Sequence, residues 1–376
     1  MKDDLMGTVS PPNYSKPSEP AAKRLFLNVN KSAIFVFVAA MILLSWRLDW
    51  PKGQSPDEKL YLSGSRVLWH QTPYLFNGHP YANTEHPPLA KYLMGLGIKV
   101  LGDNPKGWRI ASVVAGAVTI TTVFVWISGI TDAFTGWIAV VLVATNGFWF
   151  CMSRIAMLSI FELCFCVLGF YFLDKHKPVL SGVALGLAMA CRWNAAFAII
   201  LLVLWCIKQH DTRAALKIIG SSFVAYVVAF LPAVNFSIVE FLKAQKYILE
   251  FHSHAIGNVS LAQSWYLWPF KTSPEYSMGF LLGNPVVIAV GFVAAVVLIA
   301  RSEHKLLGWA PIVFWLQWPL IGRTMQFYYY FLDSMVFLSI AAAILLSKTR
   351  TRWIPIAAAS ASALWFLFHY AGFAYL

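Results

Sequence analysis

The chain has 376 residues, of which 59% are hydrophobic and only 12% are charged. Ordinary soluble proteins carry about twice that share of charged residues. A single water-soluble core of this size cannot hide so much apolar surface, so the composition excludes a soluble enzyme, a disordered protein and a collagen-like fibre. The sequence therefore predicts a polytopic membrane protein.

The formal net charge is +12. In a soluble protein such an excess would indicate nucleic-acid binding. Here the basic residues lie scattered between apolar runs, as expected for the lysines and arginines that orient membrane helices from short cytoplasmic loops. We expect a lipid bilayer and no nucleic acid as partner.

All five cysteines lie in apolar stretches, and no two of them form a CxxC pair. The pattern predicts packed free thiols rather than a disulfide framework or a metal site. One bridge between Cys151 and Cys191 stays open at this stage, because both can fall near the same membrane face.

Residues 1–31 are polar, with four prolines among charges and serines. This composition predicts a disordered cytoplasmic tail, too polar at its start to be a signal peptide. Residues 32–376 are expected to form one transmembrane domain.

Hydropathy predicts about eleven transmembrane helices, and hence an all-α membrane fold. The predicted spans are 33–46, 110–129, 136–152, 155–173, 178–191, 194–207, 217–237, 284–300, 306–321, 325–346 and 353–372.

Orientation follows from the links between these spans. If the N-terminus lies inside, the links 174–177, 208–216, 301–305 and 347–352 fall on the cytoplasmic side, and each carries at least two basic residues. The positive-inside rule thus predicts a multi-pass protein of the plasma (inner) membrane with a cytoplasmic N-terminus. Link 130–135 lacks a basic residue.

Two long segments, 47–109 and 238–283, then lie on the outer face. In the first, apolar residues recur at helical spacing within 59–69 and 87–101, which predicts helices lying along the membrane surface.

Asp57 and Glu58 follow the first predicted span in a chain that is poor in acids. Adjacent carboxylates in a loop are often only solvated charge. At a water–membrane boundary, however, partial desolvation raises the pKa of a carboxyl group and suits it to general-base catalysis.

His86 and Lys91 frame the string HPPLAK. The prolines hold His86 extended, and the helix that follows presents its N-terminus to an anion, with Lys91 one turn in. A capped interfacial helix without a ligand explains the string equally well.

Arg154 and Arg323 lie on the predicted outer side between apolar runs, where the positive-inside rule gives no reason for an arginine. A buried arginine there is costly unless it meets an anion. Arg192 fits the same argument less strongly. Glu162 and Asp333 lie inside predicted spans and are expected to face the bundle interior.

The second outer segment contains His252 and His254, followed by an aromatic stretch at 264–269. The histidines could bind a metal or a phosphate, or neither. The aromatic side chains are consistent with an interfacial belt or with a surface that stacks on a sugar ring.

Together these strings resemble the dolichyl-phosphate-mannose protein O-mannosyltransferase family of the membrane glycosyltransferase C (GT-C) superfamily. The similar strings run in order over about residues 55–345: the Asp-Glu pair at 57–58, HPPLAK at 86–91, Gly-Trp-Arg at 107–109, the segment that begins at Arg154, His254 with 264–269, Gly-Asn-Pro at 283–285, and 323–330.

The chain also departs from the family's pattern. Ser159 stands where the family commonly has Asp, and Ala90 replaces Gly. Tyr329 or Tyr330 and Asp333 occupy positions where the family often has His and Pro. The chain looks like a short bacterial-type member, and these departures bear on the mannose donor and the protein acceptor.

The resemblance implies an inverting glycosyltransferase that moves a sugar, mannose, from a polyprenyl-phosphate donor to a hydroxyl acceptor, a Ser or Thr of protein, on the outer membrane face. In this scheme Asp57 accepts the proton of the attacking hydroxyl, and Glu58 positions Asp57 or the acceptor. The residues expected at the donor phosphate are Arg154, Arg323, His86, Lys91 and His254. Those expected at the substrate are Arg109, Trp268 and Tyr329. No ligand spacing requires a metal, although a divalent ion beside the carboxylates stays open.

Two alternatives remain at this stage. A related transferase, similar to an aminoarabinose transferase, would glycosylate a lipid or a glycan. A lipid-linked-sugar flippase or transporter would need polar residues along a path through both halves of the membrane, whereas the candidate residues here lie on the predicted outer side.

Overall fold

The computed structural model describes residues 19–72, 75–76, 78–253, 264–274, 281–321 and 326–375. Within these ranges the protein is a bundle of helices with one two-stranded hairpin, in which β1 (Leu75–Phe76) pairs antiparallel with β2 (His79–Pro80). The all-α prediction is confirmed.

The described residues form fifteen α-helices. In chain order they are α1 Glu19–Ser45, α2 Pro56–Leu68, α3 Leu89–Leu101, α4 Pro105–Ile130, α5 Ala133–Ala144, α6 Gly147–Met152, α7 Leu158–Asp174, α8 Pro178–Cys191, α9 Ala196–Lys208, α10 Thr212–Phe230, α11 Ile238–Ser253, α12 Pro285–Arg301, α13 Lys305–Ile321, α14 Leu332–Ser347 and α15 Trp353–Tyr375.

Several of these helices suit a bilayer, so the chain is a multi-pass membrane protein. Four are long and apolar enough to cross one: Pro105–Ile130, Thr212–Val234, Tyr328–Ser347 and Trp353–Ala371. Five further apolar helices are shorter, Val29–Ser45 among them. Each predicted span coincides with a helix or a broken pair of helices, but the count of eleven crossings stays a prediction.

The start of α1 differs from expectation. Residues 19–31, expected within a disordered tail, form the first turns of this helix. The alanines, lysine, arginine and leucine of 21–25 are strong helix formers, and they extend the apolar helix that follows. Residues 1–18 lie outside the described residues.

The two surface helices predicted between the first two spans are present as α2 and α3. Helix α3 lies against both α2 and α4, and α4 packs in turn against α1, α5 and α7. The start of α4 thus lies beneath α2, and this contact positions the candidate site.

The five cysteines are buried free thiols, as predicted, and Cys151 and Cys191 form no bridge.

Candidate active site

Asp57 lies in the first turn of α2, which is held by a reciprocal cap. The backbone N–H of Ser55 donates to Glu58 Oε2 (2.9 Å), and the backbone N–H of Glu58 donates to Ser55 Oγ (3.4 Å). Pro56 occupies the first helical position, where its missing N–H costs nothing. The string Ser-Pro-Asp-Glu therefore encodes the start of the helix and, with it, the position of the Asp57 carboxylate in the first turn.

Tyr329 reaches Asp57 from the far end of the sequence. The Tyr329 hydroxyl donates to Asp57 Oδ2 at 2.9 Å. Tyr329 belongs to a short 3-10 turn, Tyr328–Phe331, directly before α14. The structure thus brings together a residue predicted to be catalytic and one predicted to bind substrate.

Glu58 forms a buried ion pair with Arg109 at the start of α4. Arg109 Nε lies 2.9 Å from Glu58 Oε1, and the two side chains are 0% and 1% exposed. Glu58 Oε1 also accepts the backbone N–H of Ala156 (2.8 Å). Glu58 therefore ties α2 to α4 and to the link before α7, and so fixes the turn that carries Asp57.

Arg109 was predicted to bind substrate. Its remaining contacts go to the backbone carbonyls of Leu48 (3.2 Å), Pro51 (2.8 Å) and Gly53 (2.9 Å). Together with the contacts to Glu58, these hydrogen bonds engage all three nitrogens of the guanidinium group. Arg109 thus holds these backbone segments in place.

Arg154 caps the end of α1. Its Nη1 donates to the carbonyls of Leu44 (2.8 Å) and Trp46 (2.7 Å), and its guanidinium lies 5.1 Å from the centre of the Phe150 ring. Cations are favoured at helix C-termini, where free carbonyls carry partial negative charge. Burial lowers the pKa of Arg154. In this structure the side chain is engaged with α1 and does not line the cavity beside Asp57.

Lys91 holds the loop that carries His86. Its ammonium donates to the backbone carbonyls of Asn83 and His86, the latter at 2.8 Å. The side chain is buried, and burial lowers the pKa of Lys91 to about 7. The His86 ring lies 5.6 Å from the Tyr61 ring and 5.1 Å from the His252 ring.

A cavity of about 220 Å³ opens beside Tyr329 and His86. Its wall is aromatic and basic and comes from six parts of the chain. The lining residues are Tyr61, His86, Pro87, Arg192, Trp193, Asn194, Ala196, Phe197, His252, Trp318, Ile321, Tyr329 and Tyr330.

Arg192 is the cation of this cavity wall. Its guanidinium lies 4.3 Å from the centre of the Tyr330 ring, and Nη1 lies 3.2 Å from Ser159 Oγ and 3.5 Å from Glu162 Oε2. Ser159 is the position where the related family commonly has Asp, so Glu162, one turn further along α7, supplies the negative charge here. Glu162 is buried, as expected.

Trp268 packs behind this wall rather than within the lining. It is fully buried, with its ring centre 5.8 Å from that of Trp318 and 6.4 Å from that of Tyr330. Arg323 and His254, both predicted at the donor phosphate, lie outside the described residues. Among the residues described, no group of three or more His, Cys, Asp or Glu side chains could hold a metal ion.

Sequence reasoning gave Arg192 the weakest case of the three arginines and did not select Tyr61, Trp318 or Tyr330. An arginine and a glutamate within apolar segments point to one another, because an ionisable residue inside a membrane protein needs a partner. That signal was present for Arg192 and Glu162. No sequence signal distinguishes the lining tyrosines from core aromatics.

Comparison with known proteins agrees with the motifs. Residues 85–238 match the family model described as dolichyl-phosphate-mannose-protein mannosyltransferase. A polyprenol-phosphate-mannose–protein mannosyltransferase of Corynebacterium glutamicum is 28% identical over 173 residues, which is 35% of this chain and 33% of that protein. One of Mycolicibacterium smegmatis is 28% identical over 175 residues, 38% of this chain and 34% of that protein. The chain thus spans about a third of the length of the curated relatives it matches.

Among solved structures, ArnT from Cupriavidus metallidurans bound to undecaprenyl phosphate superposes with a TM-score of 0.65. The alignment covers 90% of this chain and 64% of ArnT at 14% sequence identity. At that identity the likeness concerns the fold alone. The family match confirms the resemblance to the dolichyl-phosphate-mannose protein O-mannosyltransferase family, and the fold is shared with ArnT.

Proposed function

We propose that the chain is an inverting glycosyltransferase that moves mannose from a polyprenyl-phosphate donor to a Ser or Thr hydroxyl of a protein. We place the reaction at the outer face of the plasma membrane, with the N-terminus in the cytoplasm. One observation carries the proposal: Tyr329, whose hydroxyl donates to the carboxylate of Asp57, lines the same cavity as the buried guanidinium of Arg192.

The reaction needs an acid and a cation in these places. Asp57 accepts the proton of the acceptor hydroxyl while its oxygen bonds to the anomeric carbon from the face opposite the phosphate. The bond between the anomeric carbon and the phosphate oxygen breaks, and the phosphate leaves with the electron pair. Arg192 stabilises the charge that the phosphate gains, which is the contribution that lowers the barrier.

The remaining predicted residues either position other groups or bind the donor in this proposal. Glu58 and Arg109 position Asp57, Arg154 holds the end of α1, and Lys91 holds the loop of His86. His86 stays at the donor, since it lines the cavity. Arg323 and His254 complete the phosphate site, and Trp268 supports the wall that faces the sugar.

The size of the cavity supports a single sugar as the transferred group. Sites for drug-sized ligands measure about 300–1,000 Å³, whereas this cavity measures about 220 Å³. An oligosaccharide donor would need more room.

A transfer assay with a radiolabelled donor tests the proposal. The purified full chain, reconstituted in lipid nanodiscs, is incubated with polyprenyl-phosphate [¹⁴C]mannose and a membrane extract, and the protein, lipid and glycan fractions are counted. We expect label in protein, and its loss with Asp57→Asn. Asp49→Asn, at an exposed acid eight residues earlier, is the matched control and keeps the transfer. Transfer that survives Asp57→Asn would overturn the proposal.

A second candidate is a related transferase whose acceptor is a lipid or a glycan, and the fold shared with ArnT is compatible with it. Label in the lipid fraction that depends on Asp57 would select that acceptor and retain the chemistry. A flippase would instead move the labelled donor across the bilayer, and Asp57→Asn would leave most of that flux intact.

A further inference from the structure

A second, larger cavity lies at the end of the bundle opposite Asp57. It measures about 730 Å³ and is formed by the ends of α4, α7 and α9 and the starts of α10 and α13. Arg109, which anchors the Asp57 turn, lies at the start of α4, and Trp126 of this cavity lies 17 residues further along. At 1.5 Å per residue the two are about 26 Å apart, so the transfer reaction proposed above makes no use of the cavity.

Opposite charges line separate walls of this cavity. Arg213 and Lys217 lie one turn apart at the start of α10, whereas Asp174 ends α7 and Glu303 precedes α13. In the described part of the chain, no salt bridge joins either of these cations to either carboxylate. Asp174 lies instead 3.6 Å from the ammonium of its neighbour Lys175, and Glu303 lies 3.6 Å from His304. Asp211, at the same rim, is already engaged, since its carboxylate accepts the backbone N–H of Ala214 at 2.9 Å. The cavity therefore holds a cationic and an anionic wall apart from each other.

His304 lies on the anionic wall, with its Nε2 3.6 Å from Glu303 Oε1. Burial and, to a smaller extent, the nearby Lys348 lower the pKa of His304, against the opposing effect of the carboxylates of Glu303 and Asp174. This shift disfavours the charged imidazolium, so His304 adds little positive charge to the wall.

The deeper part of the cavity carries an unused donor. Trp126 lines it, and its indole N–H is buried without a hydrogen-bond partner among the described residues. Buried donors are almost always bonded, so an acceptor on an occupant of the cavity would satisfy this one. The walls around it are apolar and include Phe170, Leu173 and Leu306.

We propose that this cavity binds an ethanolamine phospholipid. The phosphate lies against Arg213 and Lys217, the primary ammonium lies between Asp174 and Glu303, and a glycerol or ester oxygen accepts from Trp126. A purely anionic headgroup would leave the carboxylates facing negative charge. A choline headgroup brings a quaternary ammonium that has no N–H to donate to them.

Native mass spectrometry of the full chain tests this assignment. The detergent-solubilised protein receives equal amounts of phosphatidylethanolamine, phosphatidylglycerol and phosphatidylcholine with identical acyl chains. We expect one tightly held lipid, the ethanolamine lipid, retained about tenfold over the other two, which corresponds to about 1.4 kcal/mol.

Variants separate the two walls. Arg213→Gln with Lys217→Gln, and separately Asp174→Asn with Glu303→Gln, each lower the retention of phosphatidylethanolamine to that of the other lipids. Lys208→Gln and Glu240→Gln are the matched controls, since both residues are exposed and lie outside the cavity lining; they leave the preference intact. All these changes are at exposed side chains, and an unchanged Tm verifies folding.

Two results would overturn the proposal. Equal retention of the three lipids would show an adventitious lipid only. A preference for phosphatidylglycerol that survives Asp174→Asn with Glu303→Gln would show an anion site without the ammonium subsite.

Discussion

Two buried Arg–Glu pairs serve different ends in this molecule. In the first, every nitrogen of Arg109 is engaged by Glu58 or by backbone carbonyls. In the second, Arg192 lies 3.5 Å from Glu162 and spreads over the rings that line the cavity. The first pair has no donor left for a ligand among its guanidinium nitrogens, and it holds the chain in place. The second leaves its cation facing a space where an anion can bind.

Burial and ion pairing therefore do not by themselves reveal what an arginine does. Its role depends on whether all of its hydrogen-bond donors are already engaged. The loss of the first pair should cost the most.

Glu58→Gln should destabilise the fold by about 3–5 kcal/mol, because it leaves the Arg109 charge buried without its partner. The measurement is the free energy of unfolding in detergent micelles. Glu240→Gln breaks an exposed pair with Lys243 and should cost at most about 1 kcal/mol. Should the two variants be equally stable, Glu58 would not be the anchor of the Asp57 turn.

Arg192→Gln should lower kcat/KM by about 10²–10³-fold, as for the loss of one donor to a developing anion. Because only Nη1 of Arg192 is engaged by side chains of the described residues, the Tm of this variant should fall less than that of Glu58→Gln. Arg192→Lys should recover part of the rate. A loss of stability as large as that of Glu58→Gln, with turnover retained, would make the second pair as structural as the first.

Tyr329→Phe should lower kcat about tenfold, since a hydrogen bond to a charged group contributes about 1.5–3 kcal/mol and other contacts hold Asp57 in part. The rate should fall with little change in KM, because Tyr329 acts on Asp57. Tyr328→Phe is the neighbouring control, as its hydroxyl accepts the Gly283 backbone N–H instead. A fall confined to KM would assign Tyr329 to substrate binding alone.

Lys91, like Arg109, is a buried cation held by backbone carbonyls, but it can lose its proton. Burial lowers the pKa of Lys91 to about 7, below the value of about 10.4 in an unfolded chain. Between these values the unfolded state binds one more proton than the folded state, so stability should rise with pH from about 7 to about 10, by at most about 1.4 kcal/mol per pH unit. Lys91→Met should lack this rise in a series of unfolding midpoints, whereas Lys99→Met, further along α3, should keep it.

Much of this arrangement could be read from local sequence. Apolar runs predicted the membrane helices, the Ser-Pro-Asp-Glu string encodes the start of α2, and the position of the Asp57–Glu58 pair after the first span made both carboxylates candidates for the base. These features depend on interactions between residues that are close in the chain, so they can be predicted from the sequence.

The roles of the arginines could not be read this way. Arg154 and Arg192 both follow an apolar helix, yet Arg154 meets the carbonyls at the end of α1 and Arg192 meets Glu162 and a cavity. Tyr329 is separated from Asp57 by 272 positions and reaches it only through the packing of α14. These contacts arise from tertiary structure, which residue types and spacing do not specify.

The proposed reaction needs Asp57, held by the lining residue Tyr329, to act on a substrate whose phosphate is bound by Arg192 in the same cavity. Equilibrium binding of polyprenyl phosphate to the parent chain, to Asp57→Asn and to Arg192→Gln, with turnover measured in parallel, tests this most directly. We expect Asp57→Asn to lose turnover while it binds polyprenyl phosphate as tightly as the parent, and Arg192→Gln to lose affinity. Unchanged affinity in Arg192→Gln, or full turnover in Asp57→Asn, would contradict the account.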